Sequence, residues 1–147
     1  FQRGGSAPPQ QVIHSDLHPH NFQSDNGSLC AIFDYDAVRW GKRISDISFA
    51  LQRLVRQVLV YNGRYDIEFG TECVRGFLSA YHRENSLQPE ELEILTDGMK
   101  EEMVQKLHFL MQMRYDRNDP TWDADFVKFV MLYDEIGYFE TLSIAVD

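Results

Sequence analysis

The sequence predicts an α+β fold in which a small β-hairpin near the start of the chain precedes a predominantly helical region. Two observations predict this class. Short apolar runs flank an Asn-Gly turn within residues 21–33, and from residue 45 onward the apolar side chains recur with the period of about 3.6 residues that is typical of amphipathic helices. With 147 residues, 44% of them hydrophobic, the chain is long enough for one domain with a sizeable core.

The first segment, residues 1–11, is rich in Gly, Pro and Gln and is predicted to be a linker, because Pro8-Pro9 favours an extended backbone. It would be either a truncated tether to another part of the protein or a loop. We assign the rest to one domain, composed of a loop and hairpin in residues 12–40 and a helical subdomain in residues 41–147.

A β-hairpin is predicted next. Asn21-Phe22-Gln23 and residues 29–33 are short runs that can pair as strands, and the intervening Asp25-Asn26-Gly27-Ser28 contains an Asn-Gly pair that tolerates positive φ. The hairpin would therefore carry Asn21 at one end and Asp34 at the other.

Four helices are predicted after the hairpin. The first spans residues 45–62 with Ser45 as its N-cap, and the others span about 66–83, 89–115 and 124–139. Periodicity assigns the following side chains to the buried faces, in chain order: Ile47, Ala50, Leu51, Leu54, Val55, Val58, Leu59; Phe69, Cys73, Phe77, Ala80, Tyr81; Met103, Leu107, Leu110, Met111; Phe126, Phe129, Val130, Tyr133.

Composition excludes several classes of function. The formal net charge of −9 argues against a nucleic-acid partner, which needs a basic face. The sequence contains no apolar run of about 18 residues and no charged-then-apolar leader, so it predicts neither a membrane span nor a signal peptide. Cys30 and Cys73 are too few for a disulfide framework or a cysteine zinc site, which favours reduced thiols and a cytoplasmic location.

The loop and hairpin carry the residues that indicate chemistry. Transfer of a γ-phosphoryl group to a hydroxyl needs a carboxylate that orients and deprotonates the attacking oxygen, and oxygen ligands that hold Mg²⁺ between the phosphates. Asp16 and Asn21 lie five positions apart (21 − 16) on one short loop, and Asp34 lies 13 positions beyond Asn21 (34 − 21) at the far end of the hairpin. This spacing predicts a base and two metal ligands in one phosphoryl-transfer site.

The sequence resembles the aminoglycoside phosphotransferase and choline kinase family, which is related to protein kinases and includes homoserine-kinase-like and methylthioribose-kinase-like members. The resemblance covers residues 12–50 and rests on three pieces in order: His14-Ser15-Asp16-Leu17-His18-Pro19-His20-Asn21, Ile32-Phe33-Asp34-Tyr35-Asp36 and Ser45-Asp46-Ile47-Ser48. It implies that the domain is the C-terminal lobe of a protein-kinase-like fold, with the active site on the hairpin.

The resemblance also implies a role for individual residues. Asp16 would be the catalytic base, and Asn21 and Asp34 would be the Mg²⁺ ligands. His14 would pack beneath the metal-binding turn, and Asp46 would accept hydrogen bonds from the backbone of the catalytic loop.

Three further positions in these motifs need comment. Asp36 has no role common to the family, but a second acid there would assist the metal or the acceptor, and His18 is a further accessory candidate. Ser15 stands where the family usually has glycine.

The cofactors and partners implied are Mg²⁺, ATP or GTP as phosphate donor, and a small hydroxyl acceptor such as an aminoglycoside, choline or homoserine. No glycine-rich phosphate loop and no strand lysine precede residue 12, so we expect an N-terminal lobe to be missing and the fragment alone to be inactive. The negative charge would suit a cationic acceptor, although an acidic surface equally serves solubility.

Three alternatives remain open. A catalytically silent kinase-like binding module would keep the same fold. His14, His18 and His20 with Asp16 would instead form a Zn²⁺ or Mn²⁺ cluster in a metal-dependent hydrolase. One aromatic set could either cage a quaternary ammonium group or pack against the third predicted helix, and we favour packing; it comprises Trp122, Phe126, Phe129 and Tyr133.

Overall fold

The structure is a computed structural model, and it describes residues 7–146. Within these residues, two small antiparallel sheets of two strands each are combined with a larger helical part, which confirms the α+β prediction. The strands are β1 (Gln10–Ile13), β2 (Phe22–Asp25), β3 (Ser28–Ile32) and β4 (Arg39–Lys42). The helices are α1 (Arg43–Asn62), α2 (Ile67–Glu84), α3 (Pro89–Glu93), α4 (Leu95–Met111), α5 (Asp123–Asp134) and α6 (Ile136–Phe139).

The predicted hairpin is confirmed as β2 and β3. The two strands pair antiparallel from Phe22 opposite Ile32 to Asp25 opposite Ser28. The turn is the Asn26-Gly27 pair, with φ of 48° and 80°, a backbone conformation that asparagine and glycine tolerate best. The hairpin therefore brings its two outer ends together, and the Phe33 N–H donates to the Asn21 carbonyl at 2.9 Å.

A second strand pair, β1 with β4, was not predicted. It runs antiparallel, with Gln10 opposite Lys42 and Ile13 opposite Arg39. The strand β1 includes the last two residues of the predicted linker, while residues 1–6 of that linker lie outside the described residues. Because β4 contains one aromatic residue, one glycine and two cations, it has no alternating apolar pattern that would indicate a strand.

The start of α1 corrects the prediction for Ser45. The helix begins at Arg43, with Lys42 at the N-cap position and no side-chain capping bond, and Ser45 is a buried residue of the first turn. The reason is that β4 leads directly into the helix, so the strand pairing decides where the helix begins. The predicted end is confirmed, because Gly63 closes the helix in the left-handed conformation with φ of 60°.

The third and fourth predicted helices are each divided. The third is α3 followed by α4, separated at Ile94, and α4 ends at Met111 before a single π-helical turn. The fourth is α5 followed by α6, separated at Glu135. Buried Glu91 caps the start of α3, where it accepts a hydrogen bond from the Gln88 N–H, and it also pairs with Arg43 of α1.

Most residues of the predicted apolar faces are buried or half-buried, but five are exposed: Val58, Ala80, Met111, Val130 and Tyr133. Their spacing matches the apolar faces, but the packing of the helices leaves these five side chains uncovered. The core instead joins α1, α2, α4, α5 and α6 through one contiguous cluster that includes Phe49, Leu51, Leu78, Met99, Met103, Leu132 and Ile136. No helix within residues 7–146 is long and apolar enough to span a membrane.

Candidate active site

The loop that follows β1 is held to the start of α1 by one carboxylate. Asp46 accepts two backbone hydrogen bonds of 2.6 Å, one from the His14 N–H and one from the Ser15 N–H. Ser15 has φ of 66°, in the left-handed region that glycine prefers. The substitution of serine for the family's usual glycine therefore leaves the sharp turn of the loop in place.

His14 connects this loop to the segment after β3. The ring is buried, its Nε2 lies 2.9 Å from the Phe33 carbonyl oxygen, and its centroid lies 5.0 Å from that of Tyr35. Because a carbonyl only accepts, Nε2 carries the proton and donates it. The side chain thus lies beneath the turn that carries Asp34, and its Nδ1 has no partner among residues 7–146.

Asn21 is buried and bonded to Asp16. Its Nδ2 donates to the Asp16 backbone carbonyl at 2.8 Å and lies 3.4 Å from the Asp16 Oδ2. The carbonyl can only accept, so the amide orientation is determined and Oδ1 is the atom left to serve as a ligand. The five-residue spacing between the two side chains produces direct contact.

The three predicted carboxylates of the loop and hairpin face one cavity. Asp16, Asp34 and Asp36 line a cavity of about 790 Å³, and His18 and His20 line it as well. Asp34 has φ of 60°, so the chain turns sharply where this side chain enters the cavity. The cavity is thus shared by Asp16, His18, Asp34 and Asp36, whereas Asn21 does not line it and is connected to it through Asp16.

Asp16 has a cationic partner from a distant helix. Lys106 of α4 places its Nζ 2.9 Å from the Asp16 Oδ1 and 3.2 Å from the Ser15 carbonyl oxygen. Burial opposes ionisation of Asp16, but the hydrogen bond and charge of Lys106, together with His18 and Asn21, outweigh it and lower the pKa of Asp16 below its ordinary value. Asp16 is therefore ionised at neutral pH.

His18 is the nearest neighbour of Asp16 on the loop, with its Nε2 3.3 Å from the Asp16 Oδ2. Burial lowers the pKa of His18, and although Asp16 opposes the shift, the charges of Arg53, His20 and Lys106 reinforce it. The neutral imidazole is therefore favoured, and the negative charge of Asp16 is balanced chiefly by Lys106.

One wall of the cavity is aromatic. Phe49 of α1 and Phe129 of α5 flank Lys106, with ring centroids 4.5 and 5.8 Å from its Nζ, and Phe109 packs edge-on against Trp122 at 5.7 Å. Of the aromatic set considered in the sequence, Trp122 and Phe129 line the cavity, whereas Phe126 and Tyr133 do not.

The family model described as the phosphotransferase enzyme family (APH) matches residues 3–93. The chain belongs to this phosphotransferase family. Amicoumacin kinase from Bacillus subtilis (strain 168) is 32% identical over 90 residues, which is 60% of the chain and 26% of that relative. The chain thus aligns with about a quarter of the length of this relative. The resemblance inferred from the loop motif is confirmed.

The part matched by the phosphotransferase family model ends before α4, so part of the cavity lies beyond it. Lys106 and the aromatic side chains of α4 and α5 come from that later part. Sequence reasoning missed Lys106, yet a signal was present. It follows Met99 and Met103 at helical spacing and precedes Leu110, so a lysine interrupts the buried face of its helix.

The donor set suits a magnesium ion. The oxygens of Asn21, Asp34 and Asp36 are hard ligands of the kind that Mg²⁺ prefers, and Mg²⁺ commonly leaves its other positions to water and substrate phosphates. The histidine cluster considered above does not form. Within residues 7–146 no three His, Cys, Asp or Glu side chains converge as a metal site, and His14 is turned toward the Phe33 carbonyl.

Proposed function

We propose that the complete protein is a small-molecule kinase, and that this chain is the C-terminal lobe of its protein-kinase-like fold. The observation that carries the proposal is that Asp16, Asp34 and Asp36 all line one cavity, with Asn21 hydrogen-bonded to Asp16. Membership of the phosphotransferase family and the similarity to amicoumacin kinase support the same class of reaction.

In the proposed reaction, the oxygen of an acceptor hydroxyl attacks the γ-phosphorus of ATP or GTP, and the bond to the β-phosphate oxygen breaks. Asp16 orients the hydroxyl and takes its proton. Lys106 holds the Asp16 carboxylate in position and keeps it ionised until the acceptor arrives. Asn21 and Asp34 would hold Mg²⁺, with Asp36 beside them, and the ion supplies positive charge that neutralises the phosphates.

His14 and Asp46 are positioning residues in this proposal. Asp46 fixes the loop backbone through two hydrogen bonds, and His14 fixes the segment that carries Asp34 through the Phe33 carbonyl. Neither side chain needs to touch the substrate, because each acts by orienting a residue that does.

The acceptor is proposed to be a small alcohol, such as an aminoglycoside, choline, homoserine or a related compound. The cavity is lined by five acidic and four Lys or Arg side chains, so the overall charge of −9 does not by itself decide the charge of the acceptor. Free Cys30 and Cys73 support a cytoplasmic enzyme.

The test uses two substitutions in the complete protein. Asp16→Ala is expected to lower kcat by about 10²–10⁴-fold while nucleotide affinity is retained, because a general base contributes about this factor. Asp34→Ala is expected to weaken binding of the Mg-nucleotide complex. Turnover is measured by γ-phosphate transfer to a panel of alcohols, and nucleotide affinity by titration calorimetry with and without Mg²⁺.

Asp25→Ala is the matched control, since Asp25 is an exposed carboxylate at the opposite end of the same hairpin. Full turnover in Asp16→Ala would refute the assignment of the base. Nucleotide binding without transfer to any alcohol would instead identify the complete protein as a silent kinase-like binding module.

A further inference from the structure

The cavity contains a cation that no carboxylate neutralises. Arg53 of α1 lines the cavity, and among residues 7–146 its guanidinium forms neither a hydrogen bond nor an ion pair, while its Nε is fully buried. The other cationic side chains of the lining are each paired with a carboxylate: Arg39 with Glu102 at 2.9 Å, Lys106 with Asp16 at 2.9 Å, and Lys128 with Asp125.

The surroundings of Arg53 leave its charge undercompensated. Burial lowers the pKa of Arg53, and repulsion from the charge of Arg56 lowers it further. Attraction to Asp16 and Glu135 raises the pKa, but by less than these two effects lower it. Glu135 is itself engaged by Arg56, with a hydrogen bond of 3.1 Å to the Arg56 Nη2. A guanidinium stays charged at all relevant pH values, so the site is poised to accept an anion.

We propose that Arg53 binds a carboxylate of the phosphate acceptor, so that the preferred substrates are hydroxy acids. This inference rests on the proposed kinase function. The guanidinium presents a planar fork of donors that matches the two oxygens of a carboxylate. One unpaired cation calls for one negative charge, which favours a carboxylate over a dianionic phosphate group.

The position of Arg53 favours the acceptor over the nucleotide as the source of the anion. Its electrostatic neighbours on the catalytic loop are Asp16 and His18, the side of the loop on which the acceptor hydroxyl is oriented. Phe49 lies one helical turn before Arg53 and belongs to the aromatic wall. The carbon skeleton of a hydroxy acid would thus contact apolar side chains while its two polar ends reach Arg53 and Asp16.

The experiment compares hydroxy acids with their primary amides in the complete protein. Each pair, such as 4-hydroxybutanoate and 4-hydroxybutanamide, has the same size but differs by one negative charge. The native protein is expected to show a kcat/KM at least about tenfold higher for the acid, and Arg53→Gln is expected to reduce the acid-to-amide ratio by about 10- to 100-fold, as expected for a charge-assisted hydrogen-bonded pair. Arg53→Lys keeps the charge without the fork and should retain part of the preference.

Arg75→Gln is the matched control, because it removes an exposed arginine from the middle of α2 and is expected to leave the ratio unchanged. An unchanged ratio in Arg53→Gln would overturn the proposal. The proposal would also be overturned if Arg53→Gln raised the KM for nucleotide and left the acid-to-amide ratio of kcat/KM unchanged. Arg53 would then bind the phosphate donor. The melting temperature of each variant shows that it is folded.

Calorimetric titration with the hydroxy acids separates this inference from the kinase function. One outcome is that the native protein binds acids but not amides, that Arg53→Gln loses this binding, and that no phosphate is transferred. This outcome would support the anion site and refute the kinase function. Equal phosphorylation of acids and amides would support the kinase function and refute the anion site.

Discussion

Two residues beside the cavity, Ser15 and Asp34, adopt the left-handed backbone conformation without being glycine, with φ of 66° and 60°. Such a conformation costs about 1–3 kcal/mol at a residue with a side chain, and it persists only where the surroundings impose it. At Ser15 the Asp46 carboxylate imposes it through the backbone N–H. At Asp34 the preceding Phe33 is fixed at both its N–H and its carbonyl. The strain lies where the loop that carries Asp16 meets the turn that carries Asp34.

Ser15→Gly is expected to raise the free energy of unfolding by about 1 kcal/mol, because it relieves the strain of the left-handed conformation. This gain exceeds the loss caused by the greater flexibility of glycine in the unfolded chain. The substitution also removes a buried Oγ that has no partner among the described residues. Denaturant unfolding measures the change. Ser45→Gly, a helical position, should instead lose about 1 kcal/mol. A less stable Ser15→Gly variant would contradict the argument.

Lys106→Met is expected to move the acidic limb of the pH profile of kcat/KM to higher pH. Lys106 lowers the pKa of Asp16, whereas burial raises it. Without Lys106 the effect of burial is opposed less strongly, so the pKa of Asp16 rises. The proposed reaction needs ionised Asp16, and the rate is therefore expected to begin to fall at a higher pH. Lys100→Met removes a half-exposed lysine of the same helix that pairs with Glu140 outside the cavity, and it should leave the limb in place. An unmoved limb in Lys106→Met would count against the pairing of Lys106 with Asp16.

The same shift affects stability. Because folding lowers the pKa of Asp16, its ionised form contributes stability above the unfolded-state pKa, and this contribution is lost as the pH falls through the folded-state pKa.

Among the elements, the crossing of α1 and α4 positions Asp16, the proposed base, because Asp46 extends from the first helix and Lys106 from the second. The helices approach closely at Gly98, where an added Cβ would lie 2.5 Å from the Ser48 Oγ and 3.2 Å from the Ser48 Cβ. Ser48 is fully buried and donates to the Leu95 carbonyl at 2.9 Å, so it cannot move aside without losing a hydrogen bond. A small residue is therefore required at this crossing.

Gly98→Ala is expected to destabilise the protein by about 1–3 kcal/mol through overpacking of this crossing. Gly76→Ala is the matched control, since nothing lies within 4 Å of a Cβ added at that exposed position of α2, and it should gain about 0.5–1 kcal/mol from helix propensity. Chemical denaturation of both variants measures the difference. Equal effects at the two glycines would exclude close packing at Gly98.

At the scale of the whole molecule, one core joins the helices that line the cavity to those that do not. Met99 and Met103 of α4, Leu78 of α2 and Ile136 of α6 belong to a single buried cluster with Phe49, which also faces the cavity. A change deep in the core therefore reaches the site through packed side chains, and the cavity is expected to be lost together with the rest of the fold.

Met99→Ala is expected to lower the free energy of unfolding by about 2–5 kcal/mol, because it opens a cavity at a position with no solvent exposure. Met111→Ala, at the exposed end of the same helix, should change it by no more than about 0.5 kcal/mol. Circular dichroism follows the helices, and tryptophan fluorescence in a Trp40→Phe background follows Trp122 at the cavity. Separate transitions for the two signals in Met99→Ala would contradict a shared core.

Short-range patterns determined the part of the site that lies on the loop and hairpin. The spacing of Asp16 and Asn21 and the Asn-Gly turn before Asp34 depend on neighbouring residues alone, so they are legible in the sequence. The same holds for the existence of the long helices, whose apolar periodicity is local. Helix boundaries were less predictable, because β4 leads directly into α1 and the break at Ile94 falls inside one continuous predicted helix.

Only the tertiary structure decided what surrounds Asp16. The lysine that pairs with it is 90 residues away, the strand that pairs with β1 lacks a strand pattern, and the unpaired state of Arg53 depends on which carboxylates other helices bring near it. The physical reason is the distance along the sequence over which each interaction acts. Turn and helix preferences are set by adjacent residues. The partner of a charged side chain is set by the packing of helices, which no short segment encodes.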